Sequence, residues 1–95
     1  VWPIMTRQSQ GIIVSISSFA SVDPFPGFQV YGASKAWVNL FTKAIADEGR
    51  PLGIQAYSLA LGTVETDLLR RLFPDFPREQ TLPPEDVAGQ ILQLT

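Results

Sequence analysis

Apolar residues follow two different periods along this chain. From Ile12 to Ser17 the run I-I-V-S-I-S is rich in β-branched residues, which predicts a strand buried on both faces, as in parallel sheets. From about Gln29 to Glu48 the spacing turns helical. One stripe carries Tyr31, Lys35, Val38, Phe41 and Ile45, and a second carries Ala33, Ala36, Trp37, Leu40 and Ala44. Two apolar faces are more than a surface helix needs. One is expected to cover a sheet, the other to meet a neighbouring helix or a second subunit. Gly53 to Leu61 then reads as a second strand.

Punctuation residues separate these elements. Trp2 to Gln8 looks like the tail of a helix, with Gln10-Gly11 as a turn. Asp23-Pro24-Phe25-Pro26-Gly27 cannot continue helix or strand and is expected to be a loop. Gly49 is placed to end the long helix, with Pro51 shortly after. Thr66 can cap a short helix with Asp67 in its first turn and Leu68, Leu69, Leu72 and Phe73 at its apolar positions, broken by Pro74 and Pro77. Pro83-Pro84-Glu85-Asp86 opens a last helix carrying Val87, Ile91 and Leu92. Strand, helix, strand in this order predicts a right-handed βαβ unit. The fold class expected is α/β, part of a doubly wound parallel sheet with helices at its C-terminal end.

Composition narrows the chemistry. Ninety-five residues make at most one small domain, and 45% hydrophobic with 17% charged residues is globular composition. A formal charge of -2, with Lys and Arg scattered, gives no electrostatic reason to expect nucleic acid. No apolar stretch approaches the roughly 20 residues of a membrane span, and a soluble, cytoplasmic protein is the default. The chain has neither cysteine nor histidine. Disulfides, Ser-His-Asp triads, Cys-His pairs and most zinc sites are thereby removed, and no metal is expected. Whatever chemistry remains must use Ser, Tyr, Lys or carboxylates.

Tyr31 and Lys35 supply a candidate. They stand four residues apart in Y-G-A-S-K, near the start of the long helix, with Ser18 thirteen residues upstream of the tyrosine. Side chains at i and i+4 lie one above the other on a helix face. The spacing sets a phenol beside an ammonium, and a nearby positive charge favours the ionised phenol. Reversible carbonyl/alcohol chemistry needs such a proton donor and acceptor. Ser18 falls just beyond the carboxyl end of the predicted parallel strand, where open α/β sheets place their ligands. Strand alternation points its neighbour Ser17 to the opposite face.

Five linked segments carry a resemblance: G-I-I-V-S-I-S-S from Gly11, Y-G-A-S-K-A from Tyr31, F-T-K-A-I-A-D-E from Phe41, G-I-Q-A from Gly53 and L-G-T-V-E-T from Leu61. In order and spacing the chain resembles the short-chain dehydrogenase/reductase family over nearly its whole length. The resemblance implies an NAD(P)-dependent oxidoreductase acting on a ketone or secondary alcohol, most like the ketoacyl-carrier-protein reductases, with NAD or NADP as cofactor. It further implies that Tyr31 is the general acid/base. Lys35 would assist the tyrosine and bond the nicotinamide ribose, and Ser18 would bond the substrate oxygen. Gly62, Thr63, Val64 and Thr66 would meet the cofactor together with Tyr31 and Lys35, and a homodimer or homotetramer is implied for the full-length enzyme.

The chain departs from the family in three places. Leu61 stands where relatives carry proline, Tyr57 where many carry Asn, and no residue matches the family's Asn on the helix before the serine strand. A Gly-rich dinucleotide fingerprint is also missing, so residues 1–95 are expected to be the C-terminal part of a single Rossmann-type domain, lacking its N-terminal half. Phe25, Phe28, Leu68, Leu72, Phe73 and Phe76 fall in segments resembling a substrate-lining loop and lid, although ordinary packing explains such residues more often. The rival reading is a non-catalytic α/β piece that binds a partner subunit through the Tyr31–Glu48 helix.

Overall fold

A computed structural model describes all of residues 1–95. Helix α1 (Trp2–Gln8) leads into strand β1 (Gly11–Ser18), helix α2 (Gln29–Gly49), strand β2 (Ile54–Leu61), and helices α3 (Asp67–Leu72) and α4 (Pro84–Leu94). β1 and β2 pair as a parallel two-stranded sheet, and the connection through α2 makes a β–α–β unit. Short 3-10 turns at Phe19–Ser21, Arg50–Leu52 and Arg78–Gln80 join the elements. None of these turns has a periodic signal in the sequence. No helix is long and apolar enough to cross a membrane.

The chain divides into two compact units, Val1–Ala60 and Leu61–Thr95. In the first, the buried positions are Ser17, Ala20, Gly32, Thr42, Gly49 and Ile54, contributed by β1, the turn after it, α2 and β2. Ile54 is the one large side chain fully enclosed, and burial of that size contributes about 2 kcal/mol. β1 departs from the expectation of a strand buried on both faces. Its residues are mostly half-buried, because a two-stranded sheet offers too few neighbours to cover them.

Two glycines fix how α2 meets its surroundings. Gly32 is buried in the first turn of the helix, and a Cβ there would lie 2.6 Å from the Ala20 carbonyl oxygen and 2.9 Å from Pro24 Cβ. Only a hydrogen side chain lets the turn after β1 approach this closely. At the other end Gly49 closes the helix, as expected. It is the last helical residue, and the chain continues through a 3-10 turn to Gly53, whose φ of 78° makes the reversal into β2. Pro51 lacks the N–H that a further α-helical turn would need, so the α-helix stops before it and a 3-10 turn follows.

The two stripes of α2 have different fates. In the first, Lys35, Val38 and Ile45 are half-buried while Tyr31 and Phe41 are exposed; in the second, Ala33, Ala36, Trp37, Leu40 and Ala44 are all exposed. Trp37 and Phe41 stack with ring centroids 4.9 Å apart at an interplanar angle of 9°.

In the second unit, the residues after β2 form a parallel bridge, Val64 to Leu82. Glu65 N–H donates to the Leu82 carbonyl at 2.9 Å, and Leu82 N–H donates to the Thr63 carbonyl at 2.8 Å. α3 lies between the two bridged segments. Its N-terminus is capped by Thr66, whose Oγ1 accepts from Leu69 N–H at 3.1 Å, and Asp67 occupies the first turn as predicted. Pro83 caps α4, with Glu85 and Asp86 in its first turn.

Candidate active site

Ser18 is the last residue of β1. Its extended backbone (φ -153°, ψ 153°) caps the following 3-10 turn, and its Oγ accepts from Ala20 N–H at 3.1 Å. A hydroxyl that accepts this bond keeps its own hydrogen for another partner. Ser17 is turned inward and buried, and its Oγ donates to the Lys35 carbonyl at 3.3 Å. The strand's alternation therefore separates the two serines as predicted.

Tyr31 sits in the first turn of α2 and is 45% exposed, so its ring is open to solvent. Phe28 meets it edge to face at a centroid distance of 6.0 Å, and Phe25 meets Phe28 in the same way at 6.1 Å. Such pairs add about 1 kcal/mol each beyond area burial, and this file of three rings holds the loop before α2 against the tyrosine. Lys35, one helical turn on, places Nζ 5.7 Å from the Tyr31 ring centroid. The same ammonium donates to the Ile16 carbonyl at 3.0 Å. Lys35 thus joins the tyrosine to the strand that ends in Ser18. Two of its three protons remain for other acceptors.

The other sequence-predicted residues lie in the second unit. The Thr63 carbonyl and Val64 take part in the bridge to Leu82, Thr66 caps α3, and Gly62 follows the end of β2. A cluster that the sequence did not reveal surrounds Glu65. Arg70 donates to both of its carboxylate oxygens, Nε at 2.6 Å and Nη2 at 2.5 Å. Nη1 of Arg70 donates to the carbonyls of Phe76 at 2.7 Å and Pro74 at 3.2 Å. Arg70's hydrogen bond holds the Glu65 carboxyl below its ordinary range against the opposing effect of partial burial, with the charges of Arg70 and Arg78 and the Thr81 hydroxyl adding to it. The reciprocal hydrogen bond raises Arg70.

A second unforeseen group lies in the first unit. Asn39 Nδ2 donates to Ser21 Oγ at 2.9 Å, and Asn39 Oδ1 accepts from Ser58 Oγ at 2.8 Å. The available signal was a polar residue one helical turn beyond Lys35 on a face that should cover the sheet.

A parallel β–α–β unit whose serine, tyrosine and lysine are carried by the carboxyl end of one strand and the helix that follows defines a Rossmann-like α/β protein. The chain belongs to the short-chain dehydrogenase family, whose model matches residues 1–76. It is 35% identical over 92 residues to the uncharacterized oxidoreductase YxjF of Bacillus subtilis, covering 97% of this chain and 36% of that protein. Among solved structures, it resembles a putative NAD(P)-dependent gluconate 5-dehydrogenase from Beutenbergia cavernae with bound NADP. The TM-score is 0.85 and the identity 29%, over 95% of this chain and 40% of that one. It also resembles the 3-ketoacyl-(acyl-carrier-protein) reductase from Brucella melitensis complexed with NADH, at a TM-score of 0.84 and 28% identity, over 97% of this chain and 41% of that one. The chain thus spans roughly two fifths or less of the length of these relatives.

Proposed function

We propose that this chain supplies the catalytic part of an NAD(P)-dependent oxidoreductase that interconverts a small ketone and its secondary alcohol. One observation carries the reading: the Lys35 ammonium, 5.7 Å from the Tyr31 ring, is also bonded to the strand that ends in Ser18. Family membership and the bound NADP and NADH of the two structural relatives support it.

Tyr31 Oη gives its proton to the substrate oxygen in reduction and takes it back in oxidation. Ser18 donates its free hydrogen to the same oxygen and stabilises the charge that develops there. The Lys35 ammonium lies over the face of the Tyr31 ring, one helical turn on. In the first unit, Lys35 has two unused protons for the ribose hydroxyls of a nicotinamide nucleotide. By family resemblance, Gly62, Thr63, Val64 and Thr66 of the second unit would serve its carboxamide end. When bound, NAD or NADP exchanges hydride with the carbon that bears the reacting oxygen. The likeness to the 3-ketoacyl-(acyl-carrier-protein) reductase of Brucella melitensis makes a 3-oxoacyl thioester the first substrate to try.

The whole enzyme is read as cytoplasmic and as a homodimer or homotetramer, with the exposed Ala33, Ala36, Trp37, Leu40 and Ala44 stripe of α2 against another copy. Contiguous apolar surface on a helix favours such burial. Residues 1–95 then form the C-terminal part of one nucleotide-binding domain.

Turnover in the full-length protein, followed by the absorbance of the reduced nicotinamide, tests the assignment. Tyr31→Phe is expected to lower kcat by about a thousandfold, within the range for a lost general acid, with cofactor affinity largely intact. Turnover retained in that variant overturns the role given to the phenol.

A further inference from the structure

Beyond the three side chains assigned to the reaction, the first unit contains a polar relay. Ser21 lies at the end of the 3-10 turn that Ser18 caps. Asn39 is on α2, one helical turn after Lys35, and Ser58 is in β2. Asn39 bridges the other two, donating to Ser21 Oγ at 2.9 Å and accepting from Ser58 Oγ at 2.8 Å. All three are half-buried. One amide therefore ties together the turn after the serine strand, the helix that carries Tyr31 and Lys35, and the second strand.

We infer that Asn39 is a positioning residue that fixes Ser18 relative to Tyr31 by clamping the Phe19–Ser21 turn to α2 and β2. The inference rests on the reading of Ser18 and Tyr31 as reaction partners. Two further contacts set the requirement. Ser18 Oγ is committed to Ala20 N–H within this turn, so any shift of the turn rotates the hydroxyl. The Ala20 carbonyl already lies against Gly32, with no room for a Cβ between them. Packing alone therefore resists movement of the turn toward the helix but not away from it. A directed hydrogen bond from Asn39 opposes the outward movement. Its planar amide is held at both ends, by Ser21 on one side and Ser58 on the other, so its rotamer is fixed before substrate arrives.

The test compares Asn39→Leu, Ser21→Ala and Ser21→Thr with the unaltered full-length protein. Leu keeps the approximate shape of Asn but neither hydrogen bond, and Thr keeps the hydroxyl that accepts from Asn39. Amide hydrogen exchange at Ala20 reports the turn directly. It is expected to accelerate at least tenfold in Asn39→Leu and Ser21→Ala, to stay within about threefold in Ser21→Thr, and to leave the amides in the middle of α2 unchanged. In steady-state kinetics on folded enzyme, kcat is expected to fall about tenfold in the first two variants, with the KM for nicotinamide cofactor unchanged. The double variant Ser21→Ala/Asn39→Leu is expected to be no slower than Asn39→Leu alone, since both remove one linkage. Unchanged exchange at Ala20 overturns the clamp. Faster exchange with unaltered kcat overturns its role in positioning Ser18. An unaltered protein that turns over no carbonyl or alcohol substrate instead removes the proposed function, and the exchange data still decide whether the relay holds the turn.

Discussion

Lys35 Nζ donates to the carbonyl oxygen of Ile16 at 3.0 Å, across 19 residues of sequence. The bond runs from the helix to the strand, two residues before Ser18, and it fixes the ammonium near the Tyr31 ring. A lysine held in this way is more than a flexible surface charge, because its position relative to the phenol depends on a backbone atom of the sheet. It also gives the strand end a second anchor to α2, beside the bond from Ser17 to the Lys35 carbonyl.

Lys35→Met removes both the charge and this anchor. Loss of one partly exposed hydrogen bond of this kind is expected to lower stability by about 1 kcal/mol, measured as a shift in the urea midpoint. Activity and cofactor affinity are expected to fall much further than that figure implies, by tenfold or more each. Activity and cofactor affinity that stay unchanged in this variant count against a role for Lys35 in the reaction.

Gly32→Ala tests the close approach of the turn to the helix. A methyl group 2.6 Å from the Ala20 oxygen must displace backbone. Overpacking of this kind costs about 1–3 kcal/mol, and thermal unfolding is expected to show it. The same substitution at Gly89, where a Cβ meets nothing within 4 Å, is expected to stabilise α4 by about 0.5–1 kcal/mol through helix propensity. The opposite signs distinguish packing from propensity.

Glu65 makes the second unit sensitive to acid. Its carboxyl is held below the ordinary value of 4.5 by Arg70. A group whose folded value is depressed contributes stability that is present above its unfolded value and lost as pH falls through the folded one. Slow exchange of the Leu82 amide, which is bonded to the Thr63 carbonyl, is therefore expected to persist above about pH 5 and to disappear in more acid solution once intrinsic exchange rates are divided out. Glu65→Gln is expected to flatten that acid dependence. Protection that is equally pH-dependent in the variant assigns the effect to another group.

Leu40→Glu addresses assembly. Leu40 is 71% exposed on the open stripe of α2, so a carboxylate there costs the isolated chain little. If that stripe meets another copy, a buried unpaired charge at the interface costs several kcal/mol. Sedimentation of the full-length protein is expected to show dissociation into smaller species. An unchanged sedimentation coefficient at micromolar concentration excludes this face as the contact.

The βαβ order, the bounds of α2 to within a residue, the Thr66 cap and the separation of Ser17 from Ser18 were legible in the sequence, because each follows from a local period or a capping preference. The end of α2 at Gly49 was legible as well, but the 3-10 turn Arg50–Leu52 that follows it and the left-handed Gly53 leading into β2 were not, because no periodic signal marks so short a turn. The Glu65–Arg70 cluster was not legible at all. Five residues apart, with one of them outside the helix, the two side chains follow no helical spacing. Only the loop that brings Pro74 and Phe76 under the guanidinium makes their meeting worthwhile.

The sequence by itself determined which elements form, which family the motifs resemble, and that a phenol and an amine share a helix face. All of these depend on neighbours within a few residues. Tertiary structure alone decided that the Lys35 amine reaches the Ile16 carbonyl and that Asn39 joins Ser21 to Ser58. These partners lie 18 or 19 residues apart, and no local pattern encodes a hydrogen bond that exists only once strand and helix have packed.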